Sequence, residues 1–222
     1  TIDLLEFNNT AKKYVASKKD HRFNSTITNK AGSPDVVVLI IAERARFSNW
    51  SVNGYKRNTS PHLDTMANVI SFRYHHSNAN STANSIPLII TEATPNNFFK
   101  SYAEKTIVTL MKEAGYKTYW IANQAGIFDY VDHEDEIDHV YKTYKDGKPL
   151  DTKVLPVFNQ LLNGDQSKKF IVINLIGSHG LIPDTLRKFK PDNSNLDYKY
   201  SFSNKDIFIN EYDNMIYTQD FI

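Results

Sequence analysis

Residues 35–42 read DVVVLIIA, and the seven apolar residues that follow Asp35 form the longest uninterrupted apolar run in the chain. A run that is continuous and mostly β-branched is typical of a central strand, buried on both faces of a sheet. The same run is far shorter than the roughly 20 apolar residues that cross a bilayer. It therefore predicts an inner strand that helices cover on both sides.

Strands and helices alternate on the C-terminal side of this run. Further strands are predicted over Val69–Tyr74, Lys117–Ala122 and Lys169–Ile176. Helices are predicted over Pro61–Ala67, Phe99–Ala114, Asp151–Leu162 and Lys205–Ile222. This order predicts an α/β domain with a mainly parallel central sheet flanked by helices, whose ligands bind at the carboxyl ends of the strands.

The composition limits both the architecture and the chemistry. A length of 222 residues suits one sizeable domain, and the polar residues 1–34, with a predicted helix over residues 4–17, are interpreted as a leader or linker. The formal net charge of +1 gives no field that would gather nucleic acid. Because the chain has no cysteine, a metal ion would need oxygen or imidazole ligands.

Chemically capable side chains follow two of the predicted strands. Glu43 comes one residue after the first apolar run, where its carboxylate could bind a divalent cation; the alternative is a carboxylate favoured by a helix N-terminus. His179 lies between Gly177 and Gly180, a spacing that would let a phosphate-sized ligand approach the imidazole. The alternative is a histidine that forms hydrogen bonds within its own loop.

A loop rich in hydroxyl and amide groups runs into a short apolar segment over residues 77–91, SNANSTANSIPLIIT. This pattern indicates a loop-to-helix junction, where backbone amide groups and the helix dipole favour an anion. A hydroxyl group at such a junction could attack a phosphoryl group. The alternative is that Thr82 or Ser85 serves only as a helix N-cap.

Two segments in this order resemble the phosphoethanolamine transferases of the sulfatase and alkaline phosphatase superfamily. Residues 36–61, VVVLIIAERARFSNWSVNGYKRNTSP, are similar to the family's strand, its Gly-Glu-Thr-Ala-Arg and its Asn-Gly-Tyr-x-Arg-x-Thr-x-Pro. Residues 81–87, STANSIP, resemble the family's Ser-Thr-Ala-x-Ser-Val-Pro. The resemblance implies that Glu43 is a metal ligand, that Thr82 is both the nucleophile and a metal ligand, and that Arg46 binds substrate.

Three later segments continue the resemblance. Residues 117–126, KTYWIANQAG, are similar to a strand and an amide-rich loop near the substrate, which implies that Asn123 and Gln124 bind it. Residues 170–180, FIVINLIGSHG, resemble the Gly-x-His-Gly turn and imply that His179 lies beside the substrate phosphate. Residues 210–222, NEYDNMIYTQDFI, look like the family's Asn-x-Tyr-Asp-Asn helix.

The resemblance carries expectations about the reaction and its setting. It implies Zn²⁺, or another divalent cation, and transfer of phosphoethanolamine from phosphatidylethanolamine to lipid A or a surface glycan through a phosphothreonine-type intermediate. It further implies an alkaline phosphatase/sulfatase-like fold over residues 35–222, a catalytic domain that faces the periplasm at the bacterial inner membrane, a membrane domain absent from this chain, and a monomer.

The departures from the family pattern leave two alternatives open. Ala42 and Arg44 replace the family's Gly and Thr, and the family's Asp-His metal ligands are expected beyond Ile222, so the domain is interpreted as incomplete at its C-terminus. We therefore expect weak or absent metal binding and no turnover from this chain alone. One alternative is a sulfatase, phosphatase or phosphoglycerol transferase of the same superfamily. The other is a non-catalytic relative that binds a head group, which Arg44 beside Glu43 favours.

Overall fold

A parallel four-stranded sheet forms the centre of the computed structural model, which describes residues 4–17, 22–28, 35–125, 133–146, 150–177, 188–189 and 205–222. The strands are β1 Val36–Ile41, β2 Lys117–Ala122, β3 His139–Lys142 and β4 Lys169–Asn174. Their order across the sheet is β1-β4-β2-β3, and every neighbouring pair is parallel. The predicted α/β class with a mainly parallel sheet is confirmed.

Six α-helices and several short 3₁₀ segments accompany the sheet in the described ranges. The α-helices are α1 Leu4–Ala16, α2 Pro61–Thr65, α3 Thr82–Ile90, α4 Ile107–Glu113, α5 Val154–Leu162 and α6 Lys205–Gln219. The 3₁₀ segments are Phe47–Asn49, Ser51–Asn53, Pro95–Tyr102, Glu134–Glu136, Thr143–Asp146 and Asp151–Lys153. The helices predicted near residues 61, 151 and 205 are present, although each ends or begins a few residues from its predicted limit.

Two apolar clusters cover the two faces of the sheet. Trp120 and Phe170 pack against Ile86 of α3 and Val108 of α4 on one face. Residues of α5, among them Val154, pack against the other face. Burial of both faces explains why β2 and β4 read as nearly continuous apolar runs.

The strand register brings three strand ends to one edge. Ile41 at the end of β1 and Ala122 at the end of β2 both lie opposite Asn174 at the end of β4. Residues that follow these strands, among them Glu43 and Asn123, therefore emerge along the same edge, where ligands of such sheets bind.

The prediction that β1 is a central strand buried on both faces is wrong for the described part of the chain. There β1 lies at the edge of the sheet and pairs with β4. Val38 and Ile40 point away from the core and are 37% and 46% exposed. The apolar run that decided the fold class thus marks a strand whose outer face is uncovered by the residues described.

The predicted strand over residues 69–74 is also wrong, because that segment forms no strand. Its apolar side chains are solvent-exposed, with Ile70 at 77%, Phe72 at 72% and Tyr74 at 85%. The alternating pattern was correct for a strand, but no described strand pairs with it. Exposed apolar residues this close together are uncommon on a soluble monomer.

The single helix predicted over residues 99–114 is two separate elements. A 3₁₀ segment ends at Tyr102, and α4 begins only after Thr106, whose side chain caps it by accepting a hydrogen bond from the Val108 amide at 3.2 Å. The apolar spacing continues across this break, so periodicity alone could not reveal it.

The N-terminal leader packs onto the domain in its described part. The backbone amides of Phe23 and Ser25 donate to the Glu113 carboxylate at 3.1 and 3.2 Å, and the Ser25 hydroxyl donates to the Leu110 carbonyl at 2.6 Å. The ring of Tyr14 on α1 stacks on Phe99. Among the helices that the structure describes, none has the length and apolar character required to cross a membrane.

Candidate functional site

Glu43 and Thr82 meet at the carboxyl edge of the sheet. Glu43 follows β1, Thr82 is the first residue of α3, and the Thr82 hydroxyl donates a hydrogen bond of 2.7 Å to Glu43 Oε2. Glu43 is only 8% exposed. Ser81 occupies the N-cap position, so Thr82 does not cap α3 and its hydroxyl is directed to the carboxylate. The sequence predicted both residues as site members, and the fold brings them into contact.

The N-terminus of α3 also shapes the electrostatics of this pair. Ile86 and Ile90 are buried against the sheet and fix the direction of α3. The first amide groups of any helix lack intrahelical acceptors, and the dipole places partial positive charge there. Thr82 therefore lies where negative charge on its oxygen, or on a bound phosphoryl group, is favoured.

The turn after β1 is unusual at Arg44. Its φ of 52° lies in the left-handed region, which costs a non-glycine residue about 1–2 kcal/mol. Its guanidinium Nε lies 3.7 Å from Glu43 Oε1. A positive charge thus already faces the carboxylate that the sequence predicts as a metal ligand.

Tyr212 on α6 braces the same turn. Its hydroxyl donates to the Arg44 carbonyl and accepts from the Arg46 amide at 2.9 Å. Burial raises the pKa of Tyr212, which keeps the phenol protonated and able to donate. The conformation of Arg44 is therefore maintained by a tertiary contact that the local sequence does not encode.

Gly177 and Gln219 pack against the backbone of Glu43 and form a wall behind its carboxylate. A Cβ atom on Gly177 would lie 2.7 Å from the Glu43 carbonyl oxygen and 2.9 Å from Glu43 Cβ, so only glycine fits there. The Gln219 side-chain amide donates to the Glu43 carbonyl at 3.2 Å. Gln219 Oε1 is buried and has no hydrogen-bond partner among the described residues.

An ion pair between a partly exposed arginine and a buried aspartate holds α6 against the segment that follows β1. Arg57 donates to Asp213 at 2.8 Å and to Asn210 at 2.8 Å, and the Tyr55 hydroxyl donates to Asp213 at 2.9 Å. Asp213 is fully buried. These contacts give a physical role to the Asn-Gly-Tyr-x-Arg and Tyr-Asp-Asn segments.

The predicted substrate-binding residues differ in their surroundings. Asn123 is 1% exposed, its Nδ2 donates to the Leu150 carbonyl and to Asp151, and its Oδ1 accepts from Thr143. Both of its amide atoms thus have partners inside the protein, which favours a supporting role.

The substrate-binding roles of Asn123, Gln124, Arg46 and His179 all stay predictions. Gln124 has a buried Oε1 without a hydrogen-bond partner among the described residues. Arg46 has an exposed side chain. His179 lies outside the described residues.

The structure supplies part of a metal site. Oxygen atoms of Glu43 and Thr82 are a donor set that suits a hard or borderline divalent cation. Within the described ranges no group of three or more His, Asp or Glu side chains is placed to hold a metal ion. The residues present therefore fit two ligands of such a site.

Comparison with known proteins assigns the family. The sulfatase family model matches residues 35–222, which is most of the chain. The chain belongs to the sulfatase family. The match begins one residue before β1 and includes Glu43, Thr82 and α6, so the contacts among these parts of the site fall inside the sulfatase segment.

Curated relatives of this sulfatase-family chain are phosphoethanolamine transferases, which confirms the resemblance seen in the sequence. EptC of Escherichia coli K12 is 28% identical over 159 residues, which cover 66% of this chain and 27% of that protein. EptA of the same organism is 27% identical over 199 residues, covering 85% of this chain and 36% of that protein. The chain thus spans about a third of the length of these relatives.

Solved structures confirm the fold. The C-terminal periplasmic domain of E. coli EptC in complex with Zn aligns with a TM-score of 0.71 and 25% identity, over 87% of this chain and 59% of that one. The integral membrane protein lipooligosaccharide phosphoethanolamine transferase A of Neisseria meningitidis aligns with a TM-score of 0.75 and 22% identity, over 98% of this chain and 43% of that one. The alkaline phosphatase/sulfatase-like architecture is therefore shared.

Proposed function

We propose that this sulfatase-family chain carries part of the active site of a phosphoethanolamine transferase. The contact of 2.7 Å between Thr82 Oγ1 and Glu43 Oε2, at the N-terminus of α3, is the observation that carries the proposal. It brings a hydroxyl group, a carboxylate and an anion-favouring helix end together. The relatives named as phosphoethanolamine transferases supply the reaction class.

The proposed reaction has two displacement steps at phosphorus. Thr82 Oγ1 attacks the phosphate of phosphatidylethanolamine, an O–P bond forms, and the bond to the glycerol oxygen breaks, so that diacylglycerol leaves with a proton. A protonated hydroxyl or phosphate oxygen of lipid A, or of a surface glycan, then attacks the same phosphorus. The bond between phosphorus and Thr82 Oγ1 breaks, and the proton lost by the acceptor restores the Thr82 hydroxyl. Glu43 accepts the Thr82 hydroxyl hydrogen bond and so orients Oγ1 before the first step.

Glu43 and Thr82 would hold Zn²⁺ or another divalent cation, together with ligands from outside the described residues. A bound divalent cation would lower the pKa of a coordinated hydroxyl and neutralise charge on the phosphoryl oxygens. The zinc-bound EptC domain supports this choice of ion. A divalent ion would also compete with Arg44 for Glu43, since the two carry charge of the same sign.

The proposed setting follows from the relatives. We place the catalytic domain in the periplasm at the bacterial inner membrane, anchored by a membrane domain, and we propose a monomer. The solved relatives include a periplasmic domain and an integral membrane protein, which supports this arrangement.

The proposed function is tested by offering the full-length protein competing esters. Phosphatidylethanolamine labelled in its head group, with lipid A as acceptor, is compared with an aryl sulfate and an aryl phosphate at equal concentration. We expect label on lipid A, production of diacylglycerol, and at least about tenfold slower turnover of the aryl esters. Preferred turnover of either aryl ester would support the sulfatase or phosphatase alternative. Retention of phosphatidylethanolamine with no chemistry would support the binding alternative.

The position of Arg44 beside Glu43 favours the binding alternative. Replacing Arg44 therefore tests how strongly its charge opposes a metal ion at Glu43. Because its guanidinium lies 3.7 Å from Glu43 Oε1 and is exposed, its repulsion of a cation is worth about 1 kcal/mol after solvent screening. Arg44→Asn keeps a residue that tolerates positive φ. We expect it to raise the zinc affinity of the full-length protein about three- to tenfold.

The measurement is zinc affinity by competition with a chromophoric chelator. Arg22→Asn is the matched control, because Arg22 is an exposed arginine of the leader and is expected to leave zinc affinity unchanged. If both variants bind zinc like the wild type, the guanidinium of Arg44 does not influence a metal at Glu43.

A further inference from the structure

Asp151 is a buried carboxylate that neither the sequence nor the comparisons assign to the site. It lies at the start of the 3₁₀ segment that precedes α5, at the same edge of the sheet as Asn123. An aspartate at a helix start commonly caps its own helix. The described hydrogen bonds of the Asp151 carboxylate instead go to residues that follow β2 and β4.

The Asp151 carboxylate binds two consecutive backbone amides. Its Oδ1 accepts from the Ile176 amide at 2.8 Å, and its Oδ2 accepts from the Gly177 amide at 2.8 Å. Asn123 Nδ2 donates to Oδ1 at 3.0 Å. Burial raises the pKa of Asp151, and the three donors oppose that rise. The backbone after β4 is therefore fixed by a side chain 25 residues earlier in the chain.

Gly177 packs directly against Glu43, so the restraint on its backbone also limits the position of Glu43. Its φ is 46°, and its Cα lies so close to Glu43 that an added Cβ would be within 2.9 Å of both the carbonyl oxygen and Cβ of Glu43. Packed interiors transmit displacements of this kind instead of absorbing them. A shift of Gly177 would therefore move Glu43, and with it the acceptor of the Thr82 hydroxyl.

We propose that Asp151 is a positioning residue for the Glu43 and Thr82 pair, acting through the backbone of Ile176 and Gly177. This inference rests on the proposed function. Asp151 contacts neither Thr82 nor a substrate in this assignment. It holds the backbone at Ile176 and Gly177 in place, and Gly177 in turn packs against Glu43.

The test replaces Asp151 with asparagine in the full-length protein. One side-chain position then changes from acceptor to donor, so one of the two amides, Ile176 or Gly177, loses its partner. We expect zinc affinity and kcat for transfer each to fall about 10- to 100-fold, as for groups that orient metal ligands, while KM for phosphatidylethanolamine changes less than threefold. Amide hydrogen exchange should accelerate at Ile176 or Gly177, whichever amide loses its partner. All measurements are made well below the unfolding temperature of the variant.

Asp165→Asn is the matched control. The Asp165 carboxylate also accepts hydrogen bonds, from the Ser167 amide and hydroxyl, and pairs with Lys169 at 3.1 Å, but it lies just before the amino end of β4, away from the site. We expect this variant to keep wild-type kcat and zinc affinity. If Asp151→Asn does not fold, Asp151→Glu retains the charge and shifts the oxygens by one methylene, and the same losses are expected.

The outcomes separate this inference from the proposed function. If the wild-type protein transfers no phosphoethanolamine, the proposed function fails. The zinc affinity and amide exchange of Asp151→Asn still test whether Asp151 positions Glu43. If Ile176 or Gly177 exchanges faster in the variant while zinc affinity stays within twofold of the wild type, Asp151 holds the turn without positioning Glu43, and the inference is overturned. Unchanged exchange at both amides would overturn it as well.

Discussion

Thr82→Ala in the full-length protein is expected to abolish phosphoethanolamine transfer, with a loss of kcat of more than about a thousandfold. The variant removes the only atom that the proposed mechanism uses for attack, and it leaves Glu43 without its hydrogen-bond donor from α3. Alanine is the best helix former, so α3 is expected to persist. Transfer of labelled head group from phosphatidylethanolamine to lipid A measures the loss, and mass spectrometry of the wild type tests for label on Thr82.

Two further variants are controls for the Thr82→Ala result. Thr91→Ala removes a hydroxyl at the opposite end of α3, where it donates to the Pro87 carbonyl at 2.7 Å, and is expected to keep transfer within about threefold of the wild type. Thr82→Ser retains a nucleophilic hydroxyl and is expected to keep measurable transfer. Wild-type transfer by Thr82→Ala would remove Thr82 from the mechanism, whatever the fate of Glu43.

Three of the predicted strands are present, and the two that are also buried on both faces are β2 and β4. Lys117–Ala122 was predicted to the residue, and the strand predicted from Lys169 ends at Asn174, two residues early. A continuous apolar run reports burial directly, so it needs no knowledge of neighbouring strands. His139–Lys142 was missed because four partly exposed residues carry too little pattern.

The errors arise where the fold depends on partners distant in sequence. Residues 69–74 alternate like a strand, yet strand formation also requires a neighbouring strand, which the described residues do not provide. The run from Val36 to Ile41 has the composition of an inner strand, but its position at the sheet edge depends on which strand pairs with it. Neither fact can be read from the segment itself.

The residues of the candidate site also fall into those that the sequence could predict and those that it could not. Glu43 and Thr82 could be predicted because strand ends and loop-to-helix junctions have local signatures, and the family resemblance raised them above their alternatives. Asp151, Gln219 and Tyr212 could not, since their contacts are made to backbone groups across the fold. Because every residue except proline carries the same backbone donor and acceptor, the sequence does not show which backbone group such a side chain will bind.

Gly177→Ala is expected to have the second largest effect, because two penalties act at one position. Alanine at a φ of 46° costs about 1–2 kcal/mol, and a Cβ placed 2.7 Å from the Glu43 carbonyl oxygen adds about 1–3 kcal/mol of overpacking. We expect the free energy of unfolding to fall by about 2–5 kcal/mol. Since the displaced neighbour is Glu43, we also expect transfer to fall at least about a hundredfold. Urea unfolding and the head-group assay measure the two effects.

Gly115→Ala separates the two penalties and decides whether the contact with Glu43 matters. Gly115 has a φ of 88° at the end of α4, and nothing lies within 4 Å of the Cβ that alanine would add. That variant should therefore lose only the conformational part, about 1–2 kcal/mol, and keep its transfer rate. The excess loss at Gly177 then measures the collision with Glu43, and the loss of transfer shows that the collision reaches the reaction. If the two alanine variants lose the same stability and both keep activity, the backbone after β4 does not constrain Glu43, and the wall behind the carboxylate has no part in the chemistry.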